Sequence, residues 1–190
     1  METKTVRKTA PLDRDAWIRA ALAALAEHGV DGLRVEVLAR RCGVTKGSFY
    51  WHFKNRRDLI DALLDTWKKG RLADILKQTR AEPGEELATI YHTIEVYAAV
   101  KNRKGLQIET AVRHLARHDA AAAATVAEVD ATRLACSERL FRARGLDEQE
   151  AKARSLLLYA YVFGQSLMRY ERYTSDAGDL KHWIGEHIAR

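Results

Sequence analysis

Along this chain apolar residues return at intervals of three and four, and no stretch alternates strictly, so helices packed by one face are expected and strands are not. Ile18, Ala21, Leu22 and Leu25 mark a first helix that Asp13 can cap and Gly29 stops after His28. Val35, Leu38 and Ala39 mark a short second one, ended by Gly43, where a glycine can take positive φ and reverse the chain within about three residues. A third begins at Thr45, its candidate cap, with Val44, Phe49 and Phe53 inward. Asn55 and Asp58 resemble a capping box that opens a fourth helix running to about Lys77, with Leu59, Ile60, Leu63, Leu64 and Trp67 on one face.

After a break at Pro83 and Gly84, a fifth helix carries Leu87, Ile90, Tyr91, Ile94 and Tyr97, a sixth covers Leu106–Arg117, and an alanine-rich seventh covers Ala120–Arg144. The eighth, about Asp147 to Arg172, is apolar nearly all round from Leu156 through Ala160 to Phe163, so it needs cover on both sides. A ninth, from Asp179 to the end, repeats Leu180, Trp183, Ile184, His187 and Ile188 at helical spacing. Paired as an antiparallel hairpin, the last two helices suit a two-fold contact with a second copy. Leu156, Trp183, Ile184 and Ile188 are the interface candidates.

Charge changes this picture. Of the formal net +6, residues 1–57 hold all, with 12 Lys and Arg against 6 Asp and Glu, while residues 58–190 carry 20 of each sign. Solubility requires no such segregation; neutralising phosphates does. Two cysteines exclude a disulfide-stapled scaffold, and the longest apolar run, Leu156–Gly164, is far below the ~18 residues of a membrane span. The basic opening runs into charged residues without an apolar stretch, so no secretion signal is expected and the location should be cytoplasmic. Lys4, Arg7 and Lys8 make residues 1–10 a basic arm, read as a solvated tail or as a source of extra phosphate contacts.

The stretch that concentrates the chemistry is G-V-T-K-G-S-F-Y-W-H-F-K-N-R-R-D-L after V-L-A-R-R-C. Lys46, Gly47 and Ser48 occupy a first helical turn whose free N–H groups favour an anion, and Tyr50, Trp51 and His52 add donors and flat surfaces. No carboxylate lies between Lys46 and Asn55, as a polyanionic partner requires. This run resembles the DNA-binding signature of TetR-type (TetR/AcrR-like) transcriptional regulators, with Ala39, Gly43, Val44, Phe49, Tyr50, Phe53 and Lys54 at the family's spacing. The resemblance covers about a quarter of the chain. It implies an all-α fold: a three-helix helix-turn-helix domain at 11–56 and a ligand-binding and dimerisation domain at 57–190.

The resemblance further implies base contacts from Lys46, Gly47, Ser48 and Trp51, and phosphate contacts from Thr45, Tyr50, His52, Lys54 and Arg56. Arg34 stands where relatives often carry a phosphate-contacting threonine. The implied partners are double-stranded DNA with a near-palindromic operator, a second copy of the chain and an unidentified small-molecule effector, most often acting to lift repression. Control by a protein partner or a redox change is the alternative. Trp67, Tyr91, Tyr97, His114, Tyr159, Phe163 and Tyr170 are candidates for the effector pocket, although aromatic residues at helical spacing are commonly plain core. His114 and His118 sit one turn apart but lack a third metal ligand nearby, so neither metal nor cofactor is expected. Cys42 beside two arginines is a candidate redox thiol or a half-buried packing residue. No nucleophile–base or carboxylate pair suggests an enzyme.

Overall fold

The computed structural model describes residues 12–98, 103–168, 173 and 176–190, and all regular structure among them is helical. The expected arm at residues 1–10 lies outside the described residues. The helices are α1 (Arg14–His28), α2 (Val35–Cys42), α3 (Lys46–Tyr50), α4 (Arg56–Gln78), α5 (Glu86–Ala98), α6 (Arg103–Ala116), α7 (Ala120–Ala143), α8 (Glu148–Leu167) and α9 (Ala177–Ala189). A 3-10 turn, Gly29–Leu33, joins α1 to α2. Two compact units divide the chain, and Thr66 closes the first while Trp67 opens the second. The division falls inside α4 and not at 56/57, because the fully buried Leu59 and Leu63 belong with the first unit.

Three aromatic rings centre the first unit. Phe49 meets Trp17 edge-on at 5.5 Å and stacks on Phe53 at 5.3 Å between centroids. Trp17, Leu25, Leu33, Leu38, Phe49 and Phe53 are fully buried, each contributing about 1.5–3 kcal/mol of burial free energy. Caps fix the helix ends. The Asp13 carboxylate accepts from the Ala16 N–H at 2.6 Å, and the Asn55 side chain accepts from the Asp58 N–H at 3.0 Å. Asp58 accepts in turn from the Lys54 N–H at 3.0 Å, one residue short of the reciprocal bond a capping box makes. The 3-10 turn went unread in the sequence. Gly32 lies so close under α1 that a Cβ there would come within 2.5 Å of the Ala24 carbonyl oxygen.

The second unit gathers its core from α5, α7, α8 and α9 around Ile90, Ile94, Phe141, Leu158, Tyr159, Val162 and Ile188. Inside it lies a charged cluster. Glu109 and Arg133, 2% and 1% exposed, face each other at 3.3 Å, and Arg113 reaches both Glu109 (2.8 Å) and Asp130 (2.6 Å). The two guanidinium groups lie over the Phe163 ring at 4.5 and 5.1 Å. α8 ends at Leu167, where Met168 turns to extended backbone, short of the expected Arg172. Ile188 is 7% exposed inside its own unit's core, so it is not the interface residue the helical spacing suggested.

Candidate nucleic-acid interface

Two short helices and the turn between them build the site. α2 ends where Gly43 adopts φ 68°, a left-handed conformation that suits glycine, and its N–H reaches back to the Ala39 and Arg40 carbonyls. Val44 donates to the Ala39 carbonyl at 3.0 Å, so the chain turns tightly into α3. Arg41 makes a two-pronged bond to Glu27 at 2.6 and 2.7 Å, tying α2 to α1. That bond raises the Arg41 pKa above its ordinary value. The scaffold behind α3 is therefore pinned on both sides.

α3 turns its apolar Phe49 inward and presents Thr45, Lys46, Gly47 and Tyr50 outward, with Trp51 87% exposed just beyond its end and Lys54 exposed after it. Ser48 and His52 are half-buried. Thr45 holds the N-cap position, yet its side chain makes no capping bond, leaving the first-turn N–H groups of α3 to other acceptors. Lys46 Nζ lies 2.6 Å from Oε1 of Glu36, a carboxylate that the preceding helix α2 brings to the acid-free segment of α3. The Lys46 hydrogen bond, with its charge, holds the Glu36 carboxyl below the usual carboxylate range.

Two of the expected phosphate binders are engaged elsewhere. Arg56 donates to the carbonyls of Val30 at 2.8 Å and Leu33 at 3.2 Å, which makes it a brace of the 3-10 turn. Arg34 folds back on Asp31, donating to its carbonyl at 3.3 Å and approaching its carboxylate at 3.5 Å. Cys42 is half-buried, and burial raises its thiol pKa against the smaller opposite pull of Arg41. That is the reverse of what an activated redox thiol needs.

In the second unit, His114 and Phe163 come together. They line a groove of about 370 Å³ between α6 and α8 with Thr110, Arg113, Arg117, Ser166 and Leu167. Burial lowers the Arg113 pKa, but the bonds and charges of Asp130 and Glu109 outweigh this and raise it, so Arg113 is a fixed cation at the groove's edge. Trp67 and Tyr159 are buried, Tyr91 packs at the rim of the core, and none of the three lines this groove. The Tyr97 side chain and Tyr170 lie outside the described residues. His114 and His118 meet edge-on at 6.1 Å, and the described residues hold no group of three metal-ligating side chains.

An apolar stripe runs along α8 through the exposed Leu156, Leu157, Ala160 and Leu167, and α9 presents Trp183, 59% exposed and stacked on His187 at 3.6 Å. Ile184 packs partly against the core.

Residues 18–63, which contain the whole of this arrangement from α2 to the start of α4, match the family described as bacterial regulatory proteins, tetR family. That stretch is similar in sequence to the TetR family. Over 54 residues the chain is 56% identical to the tetracycline repressor protein class A from transposon 1721 of Escherichia coli, covering 28% of this chain and 25% of that one. It is 50% identical over 54 residues to the class C tetracycline repressor of the same species, with the same coverage. The chain thus spans about a quarter of the length of the curated relatives it matches. A crystal structure of a transcriptional regulator from Rhodococcus sp. Rha1 shares the fold over 93% of this chain and 94% of its own, with a TM-score of 0.71 and 21% identity. The TetR likeness in sequence therefore resides in the first unit, and the second unit shares the fold. Among the described residues no helix is long and apolar enough to cross a membrane.

Proposed function

We propose that the chain is a cytoplasmic, homodimeric transcriptional regulator without enzymatic activity, which binds a near-palindromic DNA operator and is released from it by a small molecule. The reading rests on the exposed tip of α3. Lys46, Tyr50, Trp51 and Lys54 project from a pinned helix-turn-helix, and no carboxylate occurs in the segment that carries them. Lysine can donate to guanine's major-groove acceptors, and an exposed indole can pack on sugar or a thymine methyl. Two of the relatives matched over 54 residues are named tetracycline repressors, which favours repression over activation.

Dimerisation is carried by the stripe on α8 with Trp183 on α9, exposed large apolar side chains grouped on two helices of one unit. The effector reading rests on the groove between α6 and α8. Its exposed Arg117, together with apolar Phe163 and Leu167, suits a small organic anion with a hydrophobic body, while Arg113 is held by Glu109 and Asp130. Such a ligand can weaken operator binding by no more than its preference for the non-binding state.

Selection of bound duplexes from a random pool tests the first half: one enriched motif with two-fold symmetry is expected. Releasing the protein from that motif with a panel of aromatic and aliphatic acids tests the second. A pool that enriches nothing overturns the DNA-binding reading, and a motif that every acid leaves occupied overturns the effector class.

A further inference from the structure

α2 and α3 bring one acid and one base together at the tip of the first unit. Glu36 is the second residue of α2 and Lys46 opens α3, and their charged atoms stand 2.6 Å apart with both side chains more than half exposed, at 53% and 57%. A pair so open to water adds little to the fold. On a surface that meets phosphates, a carboxylate also opposes binding, because it repels the backbone and occupies the ammonium that would neutralise it. Glu36 therefore weakens the general attraction of this tip for any duplex, and its compensation must be specific.

The chemistry of the base edges says what that is. An ionised carboxylate only accepts hydrogen bonds. In the major groove, guanine shows acceptors at N7 and O6, thymine shows O4 and a methyl group, and only cytosine N4 and adenine N6 present an amino donor. Wherever the Lys46 ammonium enters the groove, the Glu36 carboxylate enters beside it. The two together present a donor and an acceptor a hydrogen-bond length apart. A guanine meeting Lys46 satisfies one, and an amino group on the neighbouring base satisfies the other. Acceptor edges set against Glu36 are excluded by repulsion, a discrimination that attractive contacts from lysine alone cannot supply.

We propose that Glu36 is a base-reading residue, whose carboxylate selects a cytosine or adenine amino group at one position of each half-site while Lys46 takes the acceptors beside it. The inference rests on the first unit binding duplex DNA. It adds a specificity determinant outside α3 and assigns the chemical class of base it admits.

The experiment repeats the duplex selection with the full chain in four forms: wild type, Glu36→Ala, Glu36→Gln and Lys46→Ala. Thermal melting confirms that each variant folds like the wild type. The wild type should require an amino-bearing base at one position per half-site, next to the guanine whose requirement disappears in Lys46→Ala. Glu36→Ala should lose on the order of tenfold discrimination at that position alone while binding all duplexes more tightly. Glu36→Gln should shift the preference toward adenine, whose N6 and N7 a glutamine can engage together. If Glu36→Ala returns the wild-type motif unchanged, with or without a uniform gain in affinity, the inference fails and the DNA-binding reading stands. A wild type that enriches no motif removes both.

Discussion

The Arg56 guanidinium, on the first residue of α4, donates to the Val30 carbonyl at 2.8 Å in the turn between α1 and α2. A second bond, to the Leu33 carbonyl at 3.2 Å, makes this one side chain the link between the 3-10 turn and α4. Both acceptors lie in a partly buried region, where losing the donor leaves two carbonyls to find water. Arg56→Ala should therefore destabilise the first unit by roughly 1.5–3 kcal/mol. Urea unfolding followed by far-ultraviolet circular dichroism measures it, and a midpoint like the wild type's would show that the brace is dispensable.

The Glu109–Arg133 pair is the opposite kind of ion pair from Glu36–Lys46, closed off from water on both sides. Removing Glu109 takes one carboxylate from the buried Arg133, which stays paired with Asp130 at 2.8 Å, so the cost should fall below the roughly 3–5 kcal/mol of a wholly unpaired buried charge. Glu109→Ala should accordingly unfold at lower urea than wild type. Changing Glu109 and Arg133 together to apolar residues of similar volume should recover most of the loss. If the double variant is as unstable as the single one, other partners of Arg133 dominate.

Cys42 yields a pH dependence of known sign. Burial raises its thiol pKa in the folded chain, so the folded state keeps its proton at pH values where the unfolded thiol, with a value near ~8.5, has ionised. Any stability tied to this group is intact below about 8.5 and declines as the pH rises through the folded value. At neutral pH the folded chain should be alkylated at Cys42 more slowly than a free thiol, with the rate climbing in alkaline buffer. Mass-spectrometric alkylation timed across pH reads this directly, and rapid modification at neutral pH would restore the redox reading.

On α8, Leu157 is exposed, so Leu157→Glu should leave folding unchanged within about 0.5 kcal/mol. If the stripe is the contact between copies, the same change should halve the mass seen by light scattering, because a two-fold axis places the new charge in the interface from both sides. A variant that keeps the wild-type mass would move the interface elsewhere.

What the sequence disclosed and what it hid follow from distance along the chain. Gly43, Phe49 and Phe53 were legible because turn, core face and exposed face are set within a dozen residues, by spacing alone. Ile18, Ala21 and Leu25 are buried as their spacing implies, but the buried stripe of α1 also takes in Trp17 and Ala24, whereas Leu22 is only half-buried. Glu36 and Lys46, Arg56 and Val30, and Glu109 and Arg133 lie too far apart in sequence for helical periodicity to pair them; the crossing of helices does so. The unit boundary inside α4 was equally hidden, since its apolar face continues from Leu63 and Leu64 to Trp67 without a break in composition. Ile188 and Trp183 share the spacing of one helix, yet one is core and the other surface.

That α3 from each of two copies lies in a duplex groove is tested most directly by footprinting the full chain on its selected operator. Two protected patches with centres about 34–36 Å apart, one turn of DNA, are expected, and both should disappear when Lys46 and Trp51 are replaced by alanine. A single protected patch, or protection that survives those replacements, would contradict it.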